Sequence, residues 1–256
     1  MPERGVSVDA VLVAIALTPS APVLVPELAG SAAGEVAEFG NAAITAAIAL
    51  PDRWVAVGVG RADHIIGPDT AGTFRIIGPD TAGTFAGYGV DVPVALSPDV
   101  PAPPGEPPGE LPLCALFAGW LRGKANSAAT VEVHVFDADL DCEAALARGR
   151  DLRKRIDSTA EPVGVLVVAD GANTLTPAAP GGYDPGAESD QTRLDDALAD
   201  ADTAELTRLP PGVIGRVAYQ VLAGIVGSDV VSARELIRGA PYGVGYFVGV
   251  WIPETR

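Results

Sequence analysis

The stretch VGVLVVADGANTLTPAAPGGYD, Val163 to Asp184, decides the fold. A β-branched apolar run from Val163 to Val168 stops at Asp170-Gly171. It gives way to small and polar residues, then to a proline-punctuated loop and the turn Gly181-Gly182-Tyr183-Asp184-Pro185. Such a run favours a strand buried on both faces, and the Gly/Pro cluster ends it. Strands buried on both faces belong to sheets covered by helices. In open α/β sheets, ligands bind where such a strand runs out into its loop.

Working outward from that strand, helical and strand patterns alternate. On the N-terminal side, Asp141–Ile156 reads as an amphipathic helix with an acidic start and a basic finish from Arg148 to Arg155, which suits the helix dipole. Val131–Phe136 sets Val131, Val133 and Val135 against Glu132 and His134, the alternation of a strand with unequal faces. Leu113–Leu121 is a short apolar helix. Seven prolines between Ser97 and Pro112 make an extended internal connector, loop 97–112. Val90–Leu96, Trp54–Val59 and Val11–Leu17 read as strands. An Ala-rich helix spans Ser31 to Ala49, with Ser31 as N-cap.

On the C-terminal side, Glu188–Arg208 places many carboxylates around Leu194, Leu198 and Leu206. A solvated helical face accounts for them, with a cation site as the alternative. Pro211–Gly227 is an apolar helix and Gly243–Trp251 a closing strand. The expected architecture is one α/β domain over residues 1–256, three layers deep, with a central mixed β-sheet flanked by helices.

One feature interrupts the pattern. IIGPDTAGTF stands at Ile65–Phe74 and again at Ile76–Phe85, a tandem duplication within loop 65–85. Two copies do not make a solenoid. The expectation is a duplicated surface turn, because inserted loop length costs little.

Composition narrows function. The net charge of −16 excludes the basic face that nucleic acid or an anionic membrane surface needs. No apolar stretch reaches the ~20 residues of a membrane span, and Asp9 interrupts the run after Arg4 that imitates a signal peptide. The two cysteines, Cys114 and Cys142, have no metal or redox spacing and read as free thiols in a reducing, cytoplasmic setting. No Gly-Lys-Ser/Thr loop and no G-x-S-x-G elbow occur, and Gly58-Val59-Gly60 lacks the rest of a dinucleotide fingerprint. His64 is a loop histidine and His134 lies mid-strand.

Three segments occur in the order and spacing of one family. TPSAPVLVPELAG (Thr18–Gly30), VADGANTLTPAAPGGYDP (Val168–Pro185) and GAPYGVGYFVGVW (Gly239–Trp251) resemble the corresponding segments of the class III extradiol ring-cleavage dioxygenase (LigB-like) superfamily, which includes the Memo proteins. The resemblance implies a LigB-like fold and an Fe(II) site made of two histidines and one glutamate, with a further histidine as acid/base.

This chain departs from that pattern at each of those places. Ser20 stands for the first histidine, Gly58, Val59 or Gly60 for the second, and Asn173 for the histidine of the middle segment. Val213, Ile214 or Gly215 stands where the glutamate belongs. Serine, glycine, valine and asparagine do not replace imidazole and carboxylate around Fe²⁺ or Zn²⁺. The expectation is therefore a LigB-like fold with no metal ligand, no cofactor and no catalytic set.

Its candidate pocket is lined by Ser20, Glu27, His64, Asp170, Asn173 and Tyr183 and takes a small polar molecule or a partner segment. Asp170 and Asn173 have a plainer reading as turn and cap residues. The enzymatic alternative is an oxygenase or hydrolase with a relocated site using His64, Glu27 and Asp170. The third alternative is a scaffold or assembly protein that forms a homo-oligomer through an apolar patch.

Overall fold

The apolar run Val163–Val168 is a strand with all six residues buried, as its composition requires. The structure, a computed structural model, describes residues 11–60, 74–100 and 111–254. In chain order the elements are β1 (Leu12–Thr18), α1 (Pro26–Ala29), α2 (Ala33–Ile48), β2 (Arg53–Gly60), β3 (Phe74–Ile77), β4 (Ala82–Thr84) and β5 (Pro93–Ala95). There follow α3 (Leu113–Ala125), β6 (Thr130–Asp137), α4 (Cys142–Asp157), β7 (Val163–Val168), α5 (Ala187–Ala199), α6 (Thr203–Leu206), α7 (Arg216–Val226), β8 (Val231–Gly239) and β9 (Tyr246–Pro253).

Seven strands form one mixed sheet in the order β3-β6-β2-β7-β1-β9-β8. Its four central strands, β6, β2, β7 and β1, run parallel. β3, β9 and β8 each pair antiparallel with their inner neighbour. Successive strand residues point to opposite faces, so each strand feeds two cores. On one face Ala14, Ala56 and Leu166 meet Phe39 and Ala43 of α2 and Phe117 and Leu121 of α3. On the other, Ile15, Val57 and Val165 meet Leu152 of α4, Leu198 of α5 and Leu222 of α7. This is the three-layer α/β arrangement with a mixed central sheet.

The crossovers locate the place where a ligand would sit. From β1 the chain leaves over the α2 face to reach β2. From β7, its neighbour, it leaves over the α5–α7 face. Right-handed connections departing in opposite directions open the sheet edge between the carboxyl ends of two adjacent strands. β1 and β7 form such a pair, with Thr18 opposite Val168 at their ends.

Several expectations are corrected. The helix expected from Ser31 begins at Ala33, and Ser31 lies in a 3-10 turn. The cap position is Ala32, which is already helical and caps with no side chain. The acidic stretch 188–208 is two helices, α5 and α6, because Asp202 caps a new start by accepting from the Glu205 amide at 3.0 Å. The helix expected from Pro211 starts at Arg216, since Val213 is drawn into a β-bridge with Ala172. The strands expected at Val90–Leu96 and Gly243–Trp251 are Pro93–Ala95 and Tyr246–Pro253.

The second copy of the duplicated decapeptide is no surface turn. Ile77 pairs with Val133 and is 3% exposed, β4 pairs with β5, and Phe85 is fully buried. Burying one such aromatic side chain contributes about 2 kcal/mol, so Phe85 belongs to the core and not to a surface turn. Phe74, the last residue of the first copy, opens β3 and stacks on Phe136 at 6.0 Å. The rest of that copy, His64 and prolines 101–108 lie outside the described residues.

Both cysteines are free, as expected. Cys114 is buried, which pushes its thiol up to about 12. No helix among the described residues is long and apolar enough to cross a membrane.

Candidate functional site

Where β7 ends, the backbone of residues 169–175 is held from two sides. Gly171 N donates to Gly245 O and Gly245 N to Ala172 O, both at 2.8 Å, and Leu175 N donates to Gly243 O at 3.1 Å. On the other side Gly215 N donates to Asp170 O at 2.9 Å and Ile214 N to Gly171 O at 3.1 Å. Gln191 of α5 accepts from Ala172 N at 2.8 Å and donates to Asp195 at 2.7 Å, while Tyr219 of α7 donates to Ala169 O at 2.8 Å. A loop whose backbone groups are this fully used is a rigid mount for its side chains.

Asp170 is the side chain so mounted. Its Oδ1 accepts from the Ser20 amide at 2.8 Å, a bond that crosses the switch point from β1 to β7. Its Oδ2 takes no hydrogen bond from a described residue. Burial pushes the carboxyl from its ordinary value of 3.8 up to about 6, and the Ser20 amide offsets part of that rise. No basic side chain within ion-pair distance among the described residues balances the charge.

Two tyrosines flank the acid. Tyr219 and Tyr246 both have phenols raised by burial first and by the charge of Asp170 second. They stay protonated and serve as donors. Tyr219 is committed to Ala169, whereas the Tyr246 hydroxyl bonds no described residue. Among the described residues, the buried side-chain polar atoms without a partner are Trp120 Nε1 and Gln220 Oε1. Nearby in sequence, Tyr242 donates to Glu35 at 2.7 Å.

The six residues singled out from sequence do not all converge. Ser20 and Asp170 are joined, though through the Ser20 backbone amide rather than its hydroxyl. Asn173 packs its amide over its own turn: a Cβ added at Gly181 would lie 2.5 Å from Asn173 Oδ1. Turn chemistry, the plainer reading, describes it. Tyr183 is 58% exposed. Glu27 is exposed on α1 and lines a separate recess with Pro93, Trp120 and Arg122. His64 lies outside the described residues.

Tyr246 was missed. It stands in the closing GVGY segment, whose tyrosine reads as one more buried strand residue; only its place beside Asp170 marks it out.

Two of the positions where the resemblance puts iron ligands, Gly58 and Gly215, are closed by packing. A Cβ at Gly58 would sit 2.4 Å from Cys114 Cβ, and one at Gly215 would sit 2.6 Å from both Ala169 Cβ and Asp170 O. Neither place admits imidazole or carboxylate without backbone movement. Among the described residues no group of three His, Cys, Asp or Glu side chains is arranged to hold a metal. At Gly58 and Gly215 the lining does not fit the ligands of an Fe(II) site.

No family model and no curated protein matches the chain. Solved structures do match. One is the crystal structure of uncharacterized protein JW3007 from Escherichia coli K12, 12% identical, with a TM-score of 0.54, covering 94% of this chain and 99% of that one. At such identity the likeness is one of fold.

Proposed function

We propose that this chain is a LigB-like fold without the iron chemistry, and that it binds a small polar molecule at the carboxyl ends of β1 and β7 without turning it over. The observation that carries the reading is Asp170: fixed by the Ser20 amide and raised to about 6, with its second oxygen taking no hydrogen bond from a described residue and its charge raising the Tyr246 phenol, whose hydroxyl also bonds no described residue. A ligand that presents hydroxyl hydrogens to Asp170 and an oxygen to Tyr246 satisfies both. A vicinal diol on a ring has that chemistry, and catechol is the probe that the family resemblance suggests.

The test is a calorimetric titration of catechol into the full chain, with oxygen uptake followed in parallel with and without added Fe²⁺. Saturable binding, no oxygen uptake, and affinity lowered about tenfold or more by Asp170→Ala are expected. A melting curve on the variant separates loss of the site from loss of the fold. Binding indifferent to Asp170→Ala would remove the site. Iron-dependent oxygen uptake abolished by His64→Ala would replace this reading with the relocated enzyme.

A further inference from the structure

The carboxylates of stretch 188–208 lie on a solvated face with one exception. Asp195 is buried, and so is Gln191, four residues earlier on α5. That spacing puts the two side chains on one side of the helix, where Gln191 Nε2 donates to Asp195 Oδ1 at 2.7 Å. An ionised carboxylate only accepts, so Asp195 fixes the orientation of the Gln191 amide: its NH2 faces the acid and its oxygen faces away. That oxygen accepts from Ala172 N at 2.8 Å.

The amide lies in a notch that two glycines leave open. A Cβ added at Gly171 or at Gly245 would lie 2.0 Å from Gln191 Oε1. Gly171 follows Asp170 in the loop after β7, and Gly245 precedes Tyr246 at the start of β9. The two glycines also bond each other, Gly171 N donating to Gly245 O at 2.8 Å. One side-chain oxygen is thus packed against both loops, a single residue away from each of the two groups that the strand-end site offers a ligand.

We propose that Gln191, oriented by Asp195, is the positioning residue of that site, setting the separation of Asp170 and Tyr246 so that it suits neighbouring hydroxyls. This role rests on the strand-end site being a diol site. Gln191 reaches no ligand itself; it is held at both ends by buried hydrogen bonds, and a support held in this way passes its position on to the groups in front of it. Selectivity between diol isomers is the property that such a support controls.

The experiment compares catechol with resorcinol, its 1,3-diol isomer, by calorimetric titration of the full chain, and follows the Asp170 carboxyl through pH by carbon-13 NMR. Wild type is expected to bind catechol about tenfold more tightly than resorcinol. Gln191→Met keeps the length of the side chain and removes the amide. It is expected to bring the two affinities together and to move the Asp170 titration up, because the Ser20 amide that lowers it no longer meets a fixed carboxylate. A merely structural role would lower both affinities alike and leave that titration in place, which would overturn the proposal. Melting curves establish which variants are folded. If Gln191→Met is not, Asp195→Asn and Asp195→Ala decide: both remove the same charge, but Asp195→Asn keeps an oxygen for Gln191. The catechol preference is expected to survive in Asp195→Asn and to fall in Asp195→Ala, and equal behaviour of the two would overturn the proposal. A wild-type chain that binds neither diol would remove the diol reading instead, and the Asp170 titration in the same variants would then decide the positioning role by itself.

Discussion

The two ends of the parallel strands hold one carboxyl group each that its surroundings have shifted, and in opposite directions. On β6, toward the amino ends, Glu132 Oε1 lies 2.6 Å from His134 Nε2 and 2.9 Å from Arg155. The His134 hydrogen bond, aided by the charges of His134 and Arg155, overcomes burial and holds Glu132 at about 2. At the carboxyl ends Asp170 has, among the described residues, one backbone amide and no cation, so burial wins and holds it at about 6. Desolvation acts on both; a charged partner decides the sign. Glu132 is a completed ion network and has the properties of structure. Asp170 is incomplete, and an incomplete buried acid at a switch point has the properties of a site.

The comparison breaks most severely at Gly215, whose amide holds the Asp170 carbonyl. Gly215→Ala drives a Cβ against Ala169 Cβ and Asp170 O, and against the Asp170 amide at 3.1 Å, all close to backbone that cannot swing away. Overpacking of that kind is expected to cost about 3 kcal/mol in chemical unfolding and to remove catechol binding together with stability. A loss under about 1 kcal/mol would mean that the carboxyl-end loop is loose, and the rigid mount would be gone.

At the other end, Glu132→Ala strands the buried N–H of His134 and releases Arg155. About 2 kcal/mol is the expected loss, with no effect on catechol. The same contact sets a pH signature. The folded pKa of Glu132 lies below its ordinary 4.5, so its contribution is complete above about 4.5 and is lost as pH falls through about 2. Wild type minus Glu132→Ala stability should therefore shrink across that window and be flat above it.

These contrasts also explain what the sequence could and could not tell. β7 was legible to the residue, because six apolar residues bounded by Asp-Gly have one physical use. β8, Val231–Gly239, was not. Its Arg234, Glu235 and Arg238 belong to an edge strand with one paired side, and its pairing with β9, not its own propensity, makes it a strand. His134, read only as a mid-strand residue, is buried to 2%, with Glu132 and Phe136 on the same strand face. In the site, Asp170 was visible from its place at a strand end. The closure of Gly58 and Gly215 was invisible, since it depends on Cys114 and Ala169, which come near only in the folded chain. Asn173 and Tyr183 were grouped with Asp170 through the family resemblance; in the fold Asn173 lies against Gly181 of its own turn and Tyr183 is exposed.

The smallest expected effect is the most diagnostic. Asp170 has a folded pKa of about 6, above its ordinary 3.8, so the folded chain holds that proton more tightly than the unfolded chain does. A group raised in this way contributes stability that is complete below about 3.8 and is lost as pH rises through about 6. Asp170→Asn keeps an oxygen for the Ser20 amide and has no charge to bury. It should therefore be more stable than wild type by about 1 kcal/mol at pH 8, with the advantage vanishing near pH 4. Asp195 is also raised to about 6 and moves both proteins alike, so the difference between them isolates Asp170. A purely structural acid would lose stability on this change, as Glu132 does on losing its carboxylate. A residue whose removal stabilises the fold while weakening catechol is kept at a cost, and that cost is the physical mark of a binding group.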